Sequence, residues 1–396
     1  MIVTNERKIL FTLAAIQFTH IVDFMIVMPL GPTLMRLFSI NPQQFGFIVA
    51  SYTFAAGLFG FLGAFVIDRF DRRHALMFCF LGFTLGTFAC SMAQGYISLM
   101  AARMFTGAFG GIIGSLLLSI IGDLIPYERR AAAMGKVMMA FSIASVAGVP
   151  FGLFLSNIFS WHAPFIFLGC IAIIIFILII KNIPSITSHI HQETFRDSIS
   201  KVIEILKDGN HQKALLVMFL LVTGQFTVIP FISAYMVANV GFLESDIAYI
   251  YLLGGGASMI SMPLIGKLSD RFGKIRIFTI FIFLSLIPIY GITNLNAASL
   301  WVALLVTTLF FVVMGGRSIP ATTMISAAVV PDKRGSFMSL NTAVQQLSAG
   351  VASFVSGQIL VKATGGEIMN YDLVGWIAII SSLVCLFTAR TLKVRS

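Results

Sequence analysis

Long apolar segments separated by short polar ones make up most of this 396-residue chain. A run of about 20 apolar residues is long enough to cross the hydrocarbon core of a bilayer as a helix. Such runs lie near residues 9–37, 44–66, 74–94, 96–124, 134–157 and 162–181, and again near residues 213–239, 246–268, 275–294, 298–329, 336–362 and 371–391. The pattern predicts an all-α integral membrane protein with twelve transmembrane helices in two sets of six.

The composition excludes the soluble and disordered classes. Hydrophobic residues make up 58% of the chain and charged residues 11%, whereas about a quarter of the residues in soluble domains are charged. A chain with 38 phenylalanines also lacks the composition of a disordered protein. The four cysteines lie far apart in apolar runs, and we interpret them as small hydrophobic residues rather than metal ligands.

The longest connection, at residues 182–212, separates the two sets of spans. It contains apolar residues at helical spacing with charged residues on the other side, which predicts an amphipathic helix on the membrane surface. The apolar residues are Ile199, Val202, Ile203 and Leu206. We therefore expect an N-terminal six-helix bundle at 1–181, a cytoplasmic linker at 182–212 and a C-terminal six-helix bundle at 213–396.

The distribution of basic residues predicts the orientation of the chain, because lysine and arginine accumulate on the cytoplasmic side of a membrane. With the N-terminus inside, 22 of the 26 basic residues fall at cytoplasmic ends and loops. Arg36 and Lys362 face outward, and Arg103 and Arg317 lie within spans. We expect both termini to be cytoplasmic, and we assign the net charge of +10 to a membrane surface rather than to nucleic acid.

Two short motifs recur at equivalent places in the two halves. After the second and eighth spans, the related segments are Asp68-Arg69-Phe70-Asp71-Arg72 and Asp270-Arg271-Phe272-Gly273-Lys274. After the fourth and tenth spans, they are Pro126-Tyr127-Glu128-Arg129 and Pro331-Asp332-Lys333-Arg334. The repetition predicts a duplicated six-helix unit whose halves face each other around a site near the middle of the membrane.

These segments also resemble known signatures. Residues 266–274 and 68–73 resemble the loop motif of the major facilitator superfamily, although Ala64 and Asp71 stand where that family usually has glycine. Arg103, Gly107 and Gly111 are similar to its Arg-x3-Gly-x3-Gly pattern, and residues 148–152 resemble a Gly-Pro motif of its twelve-helix drug:proton antiporter branch. The resemblance implies the major facilitator fold, a drug-antiporter or sugar-efflux-permease-like transporter, and a location in the cell membrane, which in bacteria is the inner membrane.

Asp23 is the one acidic residue predicted to lie deep within a span. A charge there costs about 2.5–3.5 kcal/mol on insertion scales, so it usually persists because it is paired or useful. His20 precedes it by three residues and shares its helix face. We interpret Asp23 as a group that gains and loses a proton during transport, with His20 as its relay partner and Arg103 as its neighbour. The alternative for Asp23 is a fixed structural pair with Arg103 or a backbone group. The alternative for His20 is a polar residue that only lines the cavity, and that for Arg103 is helix packing alone.

Other polar residues within spans are candidates for substrate contacts. Arg317 is the equivalent of Arg103 in the second half and has no deep acidic partner there, so we expect it either to bind substrate or to pair with backbone carbonyls. The remaining candidates are Gln225, Tyr52, Asn341 and Gln345. The alternative for each of them is a hydrogen bond between helices.

The loop motifs suggest a conformational switch. A carboxylate at Asp68 would be stabilised at a helix N-terminus, and we expect Arg72 to pair with Asp123. The resemblance implies that such contacts lock the cytoplasmic side, with Asp270, Arg271 and Lys274 as the second copy; the alternative is a basic loop that only sets topology. Gly148 is expected to pack closely against a neighbouring helix, with Pro150 as a secondary hinge.

The sequence has no hydrolase triad, metal cluster or phosphate-binding loop, so an enzyme or an ATP-driven pump is not expected. We expect a monomeric, proton-coupled secondary transporter that needs no cofactor beyond a proton gradient. Its partners are then protons, the lipid bilayer and a small-molecule substrate, with export of small amphipathic compounds or sugars as the first hypothesis. The alternatives are a carrier for metabolite uptake or facilitated diffusion, and a non-transporting receptor or lipid-handling protein.

Overall fold

The computed structural model describes residues 3–187, 202–330 and 334–393. Within these ranges, only the backbone is described at residues 3–5, 64, 68, 127, 128, 131, 334 and 335. The first half contains eight helices within these residues. They are α1 (Val3–Ile26), α2 (Gly31–Leu37), α3 (Pro42–Val66), α4 (Arg72–Ser91), α5 (Tyr96–Leu124), α6 (Tyr127–Ile143), α7 (Val149–Ile158) and α8 (Ala163–Asn182). A π-helical turn, Ala144–Gly148, joins α6 to α7.

The second half continues with further helices and one short hairpin. The helices are α9 (202–207), α10 (Gly209–Phe226), α11 (Ile232–Tyr235), α12 (Ile247–Phe272), α13 (Lys274–Thr293), α14 (Leu300–Ala327), α15 (Arg334–Ile359) and α16 (Tyr371–Arg390). Strands β1 (Val361–Lys362) and β2 (Ile368–Met369) pair antiparallel between α15 and α16.

Eleven segments of the described residues are long and apolar enough to cross a membrane. They are α1, α3, α4, α5, α6 with α7, α8, α10 with α11, α12, α13, α14 and α16. The 26-residue helix α15 is equally long, at about 39 Å from a rise of about 1.5 Å per residue, but Asn341, Gln345 and Gln346 make it more polar. With α15 the fold has the predicted twelve transmembrane helices, which we number spans 1 to 12 in chain order.

The structure corrects the predicted ends of two spans. Span 1 was expected to continue to residue 37, but α1 ends at Ile26 and a separate helix begins at Gly31. Pro29 and Pro32 explain the break, because proline has no amide hydrogen and cannot continue a helix interior. Span 11 was expected to reach residue 362, but α15 ends at Ile359 and the chain enters the hairpin.

The linker is described only in part. Residues 188–201, including Ile199 of the predicted apolar stripe, lie outside the described residues. In the helical segment 202–207, Ile205 is 1% exposed and packs into the core of the second half, whereas Ile203 and Leu206 are exposed. The protein-facing residue of this helix is therefore Ile205, which the predicted stripe did not include.

The two halves meet along α3 and α15. A Cβ atom added at Gly46 of α3 would lie 2.9 Å from the backbone oxygen of Ser353, and one at Gly57 would lie 2.7 Å from Cγ of Leu347. Small residues thus allow the two helices to pack closely. The capping box of Asn41 and Gln44 fixes the start of α3 at this junction.

The hydrophobic core is continuous at one end of the molecule and divided at the other. Near Arg36, one cluster joins buried residues of both halves, such as Leu34, Phe45 and Tyr235. Near Arg72, two separate clusters occur, each with its buried residues from one half. We call these the Arg36 end and the Arg72 end.

Candidate functional site

Asp23 and Arg103 form a buried ion pair at the centre of the first half. Arg103 Nη1 lies 2.7 Å from Asp23 Oδ2 and also donates a 3.1 Å hydrogen bond to the Asp23 backbone oxygen. Thr87 of α4 donates to Asp23 Oδ1 at 3.1 Å. The expected contact between Asp23 and Arg103 is confirmed, and since the two charges cancel, each lowers the cost of burying the other.

Tyr52 of α3 completes this group. Its side chain is fully buried, and the Arg103 guanidinium carbon lies 4.2 Å from the centre of its ring, a cation–π distance. Phe24 contacts the Tyr52 ring at 5.4 Å and the ring of Phe226 in span 7 at 6.0 Å. Phe24 therefore connects the ion pair of the first half to the second half.

His20 lies one helical turn from Asp23, toward the Arg72 end of α1. Neither of its ring nitrogens has a hydrogen-bond partner among the described residues, and both are buried. The ring packs edge-on against Phe83 at 5.8 Å. His20 therefore does not bond to Asp23 directly, and a relay between them requires an intervening molecule.

The other candidate substrate contacts are not brought together as a group. Asn341 is 2% exposed, and its side-chain oxygen has no partner among the described residues. Gln345, one turn further along the same helix, is exposed, and Gln225 is half-buried. Helical spacing alone did not distinguish these environments, because it does not show which neighbours cover a helix face.

Arg317 is fully buried in α14 and binds neutral groups. Its Nη1 donates to Ser382 Oγ in span 12 at 2.7 Å, and its Nη2 donates to the Leu221 backbone oxygen in span 7 at 3.1 Å. These contacts favour the alternative in which Arg317 pairs with a backbone carbonyl. Arg103 makes the same kind of contact with span 1, so the two halves use their buried arginines in a related way.

At the Arg72 end, Arg72 Nε lies 3.2 Å from Asp123 Oδ2, which confirms the predicted pair between the start of α4 and the end of α5. The Asp68 side chain lies outside the described residues. In the second copy, Lys274 at the start of α13 pairs with Asp270 near the end of α12 at 3.0 Å, and the guanidinium carbon of Arg271 lies 5.2 Å from the Phe272 ring centre.

Asp71, which the sequence analysis did not select, caps the N-terminus of α4. Its carboxylate accepts a 2.9 Å hydrogen bond from the Arg73 amide, and it binds the linker through the Ser185 hydroxyl at 2.6 Å and the Ile186 amide at 2.9 Å. Burial raises the pKa of Asp71, but hydrogen bonds from Ser185, Ile186, Arg73 and His74 outweigh burial and lower the pKa to about 2. The sequence did contain one sign of this cap, since Asp71 stands where the family usually has glycine.

Gly148 and Pro150 lie where the π-helical turn passes α1. A Cβ atom at Gly148 would overlap the Val22 side chain and lie 3.2 Å from Phe18. Pro150 stands at the second position of α7, directly after the π turn, where its missing amide hydrogen is tolerated. The structure thus supplies the expected close packing at Gly148.

An ion pair that the sequence analysis missed joins the halves at the Arg36 end. Glu244 accepts hydrogen bonds from Arg36 Nε and Nη2, both at 3.1 Å, and from the Thr33 hydroxyl at 2.6 Å. Gln43 and Gln358 add a 2.7 Å hydrogen bond between α3 and α15. We call the group of Arg36, Glu244 and Thr33 the latch.

Comparisons with known proteins match the chain to membrane transporters. The sequence model of the Major Facilitator Superfamily matches residues 13–211 and 214–395. The uncharacterized MFS-type transporter YceJ of Bacillus subtilis (strain 168) is 22% identical over 349 residues, which cover 87% of each chain. The inner membrane transport protein YdhP of Escherichia coli (strain K12) is 23% identical over 353 residues, covering 87% of this chain and 85% of YdhP.

Solved transporters share the fold at low sequence identity. A bacterial homolog to the human lysosomal transporter Spinster, in an inward-facing and unoccupied conformation, matches with a TM-score of 0.77 and 17% identity over 98% of both chains. The D-xylose-proton symporter matches with a TM-score of 0.75 and 17% identity over 97% of both chains. At these identities the similarity shows a common architecture of two helical bundles.

Proposed function

The chain belongs to the Major Facilitator Superfamily, whose members are transporters rather than enzymes, and we propose that it is a proton-coupled exporter of small amphipathic compounds or sugars. The buried pair of Asp23 and Arg103 is the observation that supports this proposal. It contains the one carboxylate, among the described residues, that is fully buried within a span. Such a group is a functional candidate by default, because its burial is costly.

Protonation of Asp23 would change the balance of charge in this site. While Asp23 is ionised, it neutralises Arg103 across a 2.7 Å contact. Once Asp23 is protonated, Arg103 keeps its charge and is left in an apolar surrounding without a counter-charge. Phe24 connects this site to Phe226, so a rearrangement around Asp23 also moves the contact between the halves.

The proposed transport cycle is alternating access between the two bundles. In the predicted orientation, with both termini in the cytoplasm, the Arg36 end faces outward and is closed by the shared core and the latch. The separate cores at the Arg72 end then correspond to an arrangement that opens toward the cytoplasm. We assign the protein, as a monomer, to the inner membrane of a bacterium, as for its relative, the inner membrane transport protein YdhP.

The substrate class is proposed from the candidate polar residues and the apolar walls. Tyr52, Asn341, Gln345 and Gln225 are not brought together as a group, but each offers hydrogen bonds among apolar side chains, which suits small amphipathic molecules or sugars. A D-xylose-proton symporter and a nucleoside transporter share the fold, so this architecture accommodates polar, ring-containing substrates. Arg317 supports the site indirectly, by joining spans 7, 10 and 12.

The proposal is tested in lipid vesicles that contain the full chain and a trapped pH-sensitive dye. A panel of sugars and amphipathic compounds is added under an imposed pH gradient, and compounds that move protons are identified. Asp23→Asn removes the titratable group at constant size, so we expect it to abolish proton movement while the protein stays folded. Asp372→Asn, an exposed change at the start of α16, is the matched control and should behave as wild type.

Two results would overturn the proposal. Proton movement by Asp23→Asn at the wild-type rate would remove Asp23 from the mechanism. Transport of a compound by the wild-type protein without any proton movement would instead favour a facilitated-diffusion carrier.

A further inference from the structure

A cavity of about 570 Å³ lies at the Arg72 end of the second half. It is enclosed by the start of α13 and by the ends of α14 and α16. Its volume is within the range of about 300–1,000 Å³ that is usual for ligand pockets. The polar residues of its lining are Lys274, Thr323 and Arg390, and the other lining residues are apolar.

Among the described residues, the lining of this cavity carries two positive charges and no acidic side chain. The guanidinium of Arg390 is exposed and forms no ion pair or hydrogen bond within the part of the chain that the structure describes. Lys274 contacts Asp270 at 3.0 Å, but side-chain exposures of 38% and 76% make this a weak, solvent-screened pair. An ammonium group has three donors, so Lys274 can also bind an anion in the cavity.

Both cations lie where their helices leave the hydrocarbon core of the membrane. Lys274 is the first residue of α13 and Arg390 is the last residue of α16, and each helix has 20 residues. At about 1.5 Å per residue each helix is about 30 Å long, which equals the thickness of the hydrocarbon core. The cavity therefore lies at the depth of the lipid phosphate groups in one leaflet.

An apolar surface continues from the cavity toward the middle of the membrane. The two helices α13 and α16 pack against each other and present exposed apolar side chains there. On α16 these are Ile380, Val384 and Phe387, which share one helix face, and on α13 they include Ile280 and Ile287. A molecule whose charge lies in the cavity can therefore place acyl chains along this surface.

We propose that this cavity binds the headgroup of an anionic phospholipid, with the phosphate between Lys274 and Arg390 and the acyl chains along α13 and α16. The apolar lining and the adjoining apolar surface favour a lipid over a hydrated inorganic anion. The two cations favour an anionic lipid over a zwitterionic one, whose own cation they would repel. The proposal concerns the second half alone and does not rest on the proposed proton coupling through Asp23.

The change Phe387→Trp supplies a local reporter of lipid binding. Residue 387 is 69% exposed and lies one helical turn before Arg390. The full chain with this reporter is placed in phosphatidylcholine vesicles that contain increasing fractions of phosphatidylglycerol with brominated acyl chains, which quench tryptophan fluorescence on contact. Quenching of the chain without the reporter is subtracted, which removes the contributions of Trp161, Trp301 and Trp376. The curve gives the binding constant of phosphatidylglycerol relative to phosphatidylcholine.

We expect phosphatidylglycerol to be preferred by at least about fivefold at the reporter. Arg390→Gln and Lys274→Gln should each lower the relative binding constant about fivefold, the factor for one basic residue at an anionic membrane surface. Because these are two separate variants, the test stays decisive if one of them does not fold. Lys267→Gln is the matched control, since it removes an exposed positive charge from α12 outside the cavity lining and should leave the constant unchanged.

Three results would overturn the proposal. A relative binding constant of about one for the reporter chain would show that this surface does not select lipids by charge. Equal constants in Arg390→Gln, Lys274→Gln and Lys267→Gln would assign the preference to the overall charge of the protein. Inorganic phosphate, added at constant ionic strength, should leave the quenching unchanged, and displacement of the brominated lipid by phosphate would assign the cavity to a soluble anion instead.

Discussion

The latch at the Arg36 end should control how often the two halves separate there. Glu244 accepts three hydrogen bonds from the first half, two from Arg36 and one from Thr33. Glu244→Gln removes the charge but keeps the size of the side chain. The pair is partly exposed, with side-chain exposures of 63% for Arg36 and 28% for Glu244, so it is worth less than a buried pair.

The size of the effect follows from these contacts. An exposed ion pair contributes about 0.2–1 kcal/mol, and a charge-assisted hydrogen bond such as that from Thr33 is worth about 1.5–3 kcal/mol, of which glutamine retains a part. We therefore expect a loss of about 1.5 kcal/mol. Since about 1.4 kcal/mol corresponds to a tenfold change in an equilibrium constant, the open fraction at this end should rise about tenfold.

The assay uses Ala234→Cys, which lies at the Arg36 end and is 1% exposed in the closed arrangement. A water-soluble maleimide reacts with this cysteine only when the halves separate, so its labelling rate reports the open fraction. In detergent, Glu244→Gln should increase that rate about tenfold at low salt. Glu367→Gln, an exposed change on the neighbouring hairpin loop, is the control and should leave the rate unchanged.

The dependence of the labelling rate on salt is a second, independent test of the latch. Raising the ionic strength screens an exposed pair, so labelling should accelerate in the wild type and respond little in Glu244→Gln. If Glu244→Gln labels at the wild-type rate at low salt, the latch does not hold this end closed and the reasoning is refuted.

Three further changes test other contacts. Gly111→Ala should destabilise the protein by about 1–3 kcal/mol, because the added Cβ atom would overlap the Ala56 backbone oxygen. Gly122→Ala is the control: its Cβ position has no heavy atom within 4 Å, so the thermal unfolding temperature should stay unchanged. Arg317→Lys should lower that temperature, because one ammonium cannot reproduce the two contacts to spans 7 and 12; an unchanged temperature would contradict this. Asp71→Asn should lower the free energy of unfolding by about 2 kcal/mol at pH 7, because the fold lowers the pKa of Asp71 to about 2. This difference between the variant and the wild type should vanish as the pH falls from about 4 to 2. A difference that stays constant over this range would refute the assignment.

Features set by the bilayer and by local sequence were predictable. The apolar run predicted at 96–124 is the helix Tyr96–Leu124, because the thickness of the membrane and the polar residues at its surfaces fix such a helix. The pair of Asp23 and Arg103 was predictable for a related reason: each charge needs a partner at the same depth, and few candidates exist there.

Contacts that depend on the folded arrangement were not predictable. Asp71 binds Ser185, which is 114 residues away in the chain, and Arg36 binds Glu244, which is 208 residues away. All four residues lie in polar segments near span ends, where many pairings satisfy the charge pattern equally well. Which one forms depends on how the linker returns to the first half and on how the two halves meet.

The comparison of the two buried arginines suggests why the proposed proton coupling belongs to the first half. Arg103 and Arg317 both donate to a backbone oxygen of the first span in their own half. Arg103 also binds a carboxylate, whose charge can be removed by one proton, whereas Arg317 binds a serine hydroxyl, which does not titrate near neutral pH. In the proposed mechanism a proton therefore changes the interactions of Arg103 but not those of Arg317, so only one of the two similar supports is expected to respond to pH. Exchanging Ser382 for Asp should create a second titratable pair, and a pH dependence of transport that remains unchanged in that variant would refute this division of roles.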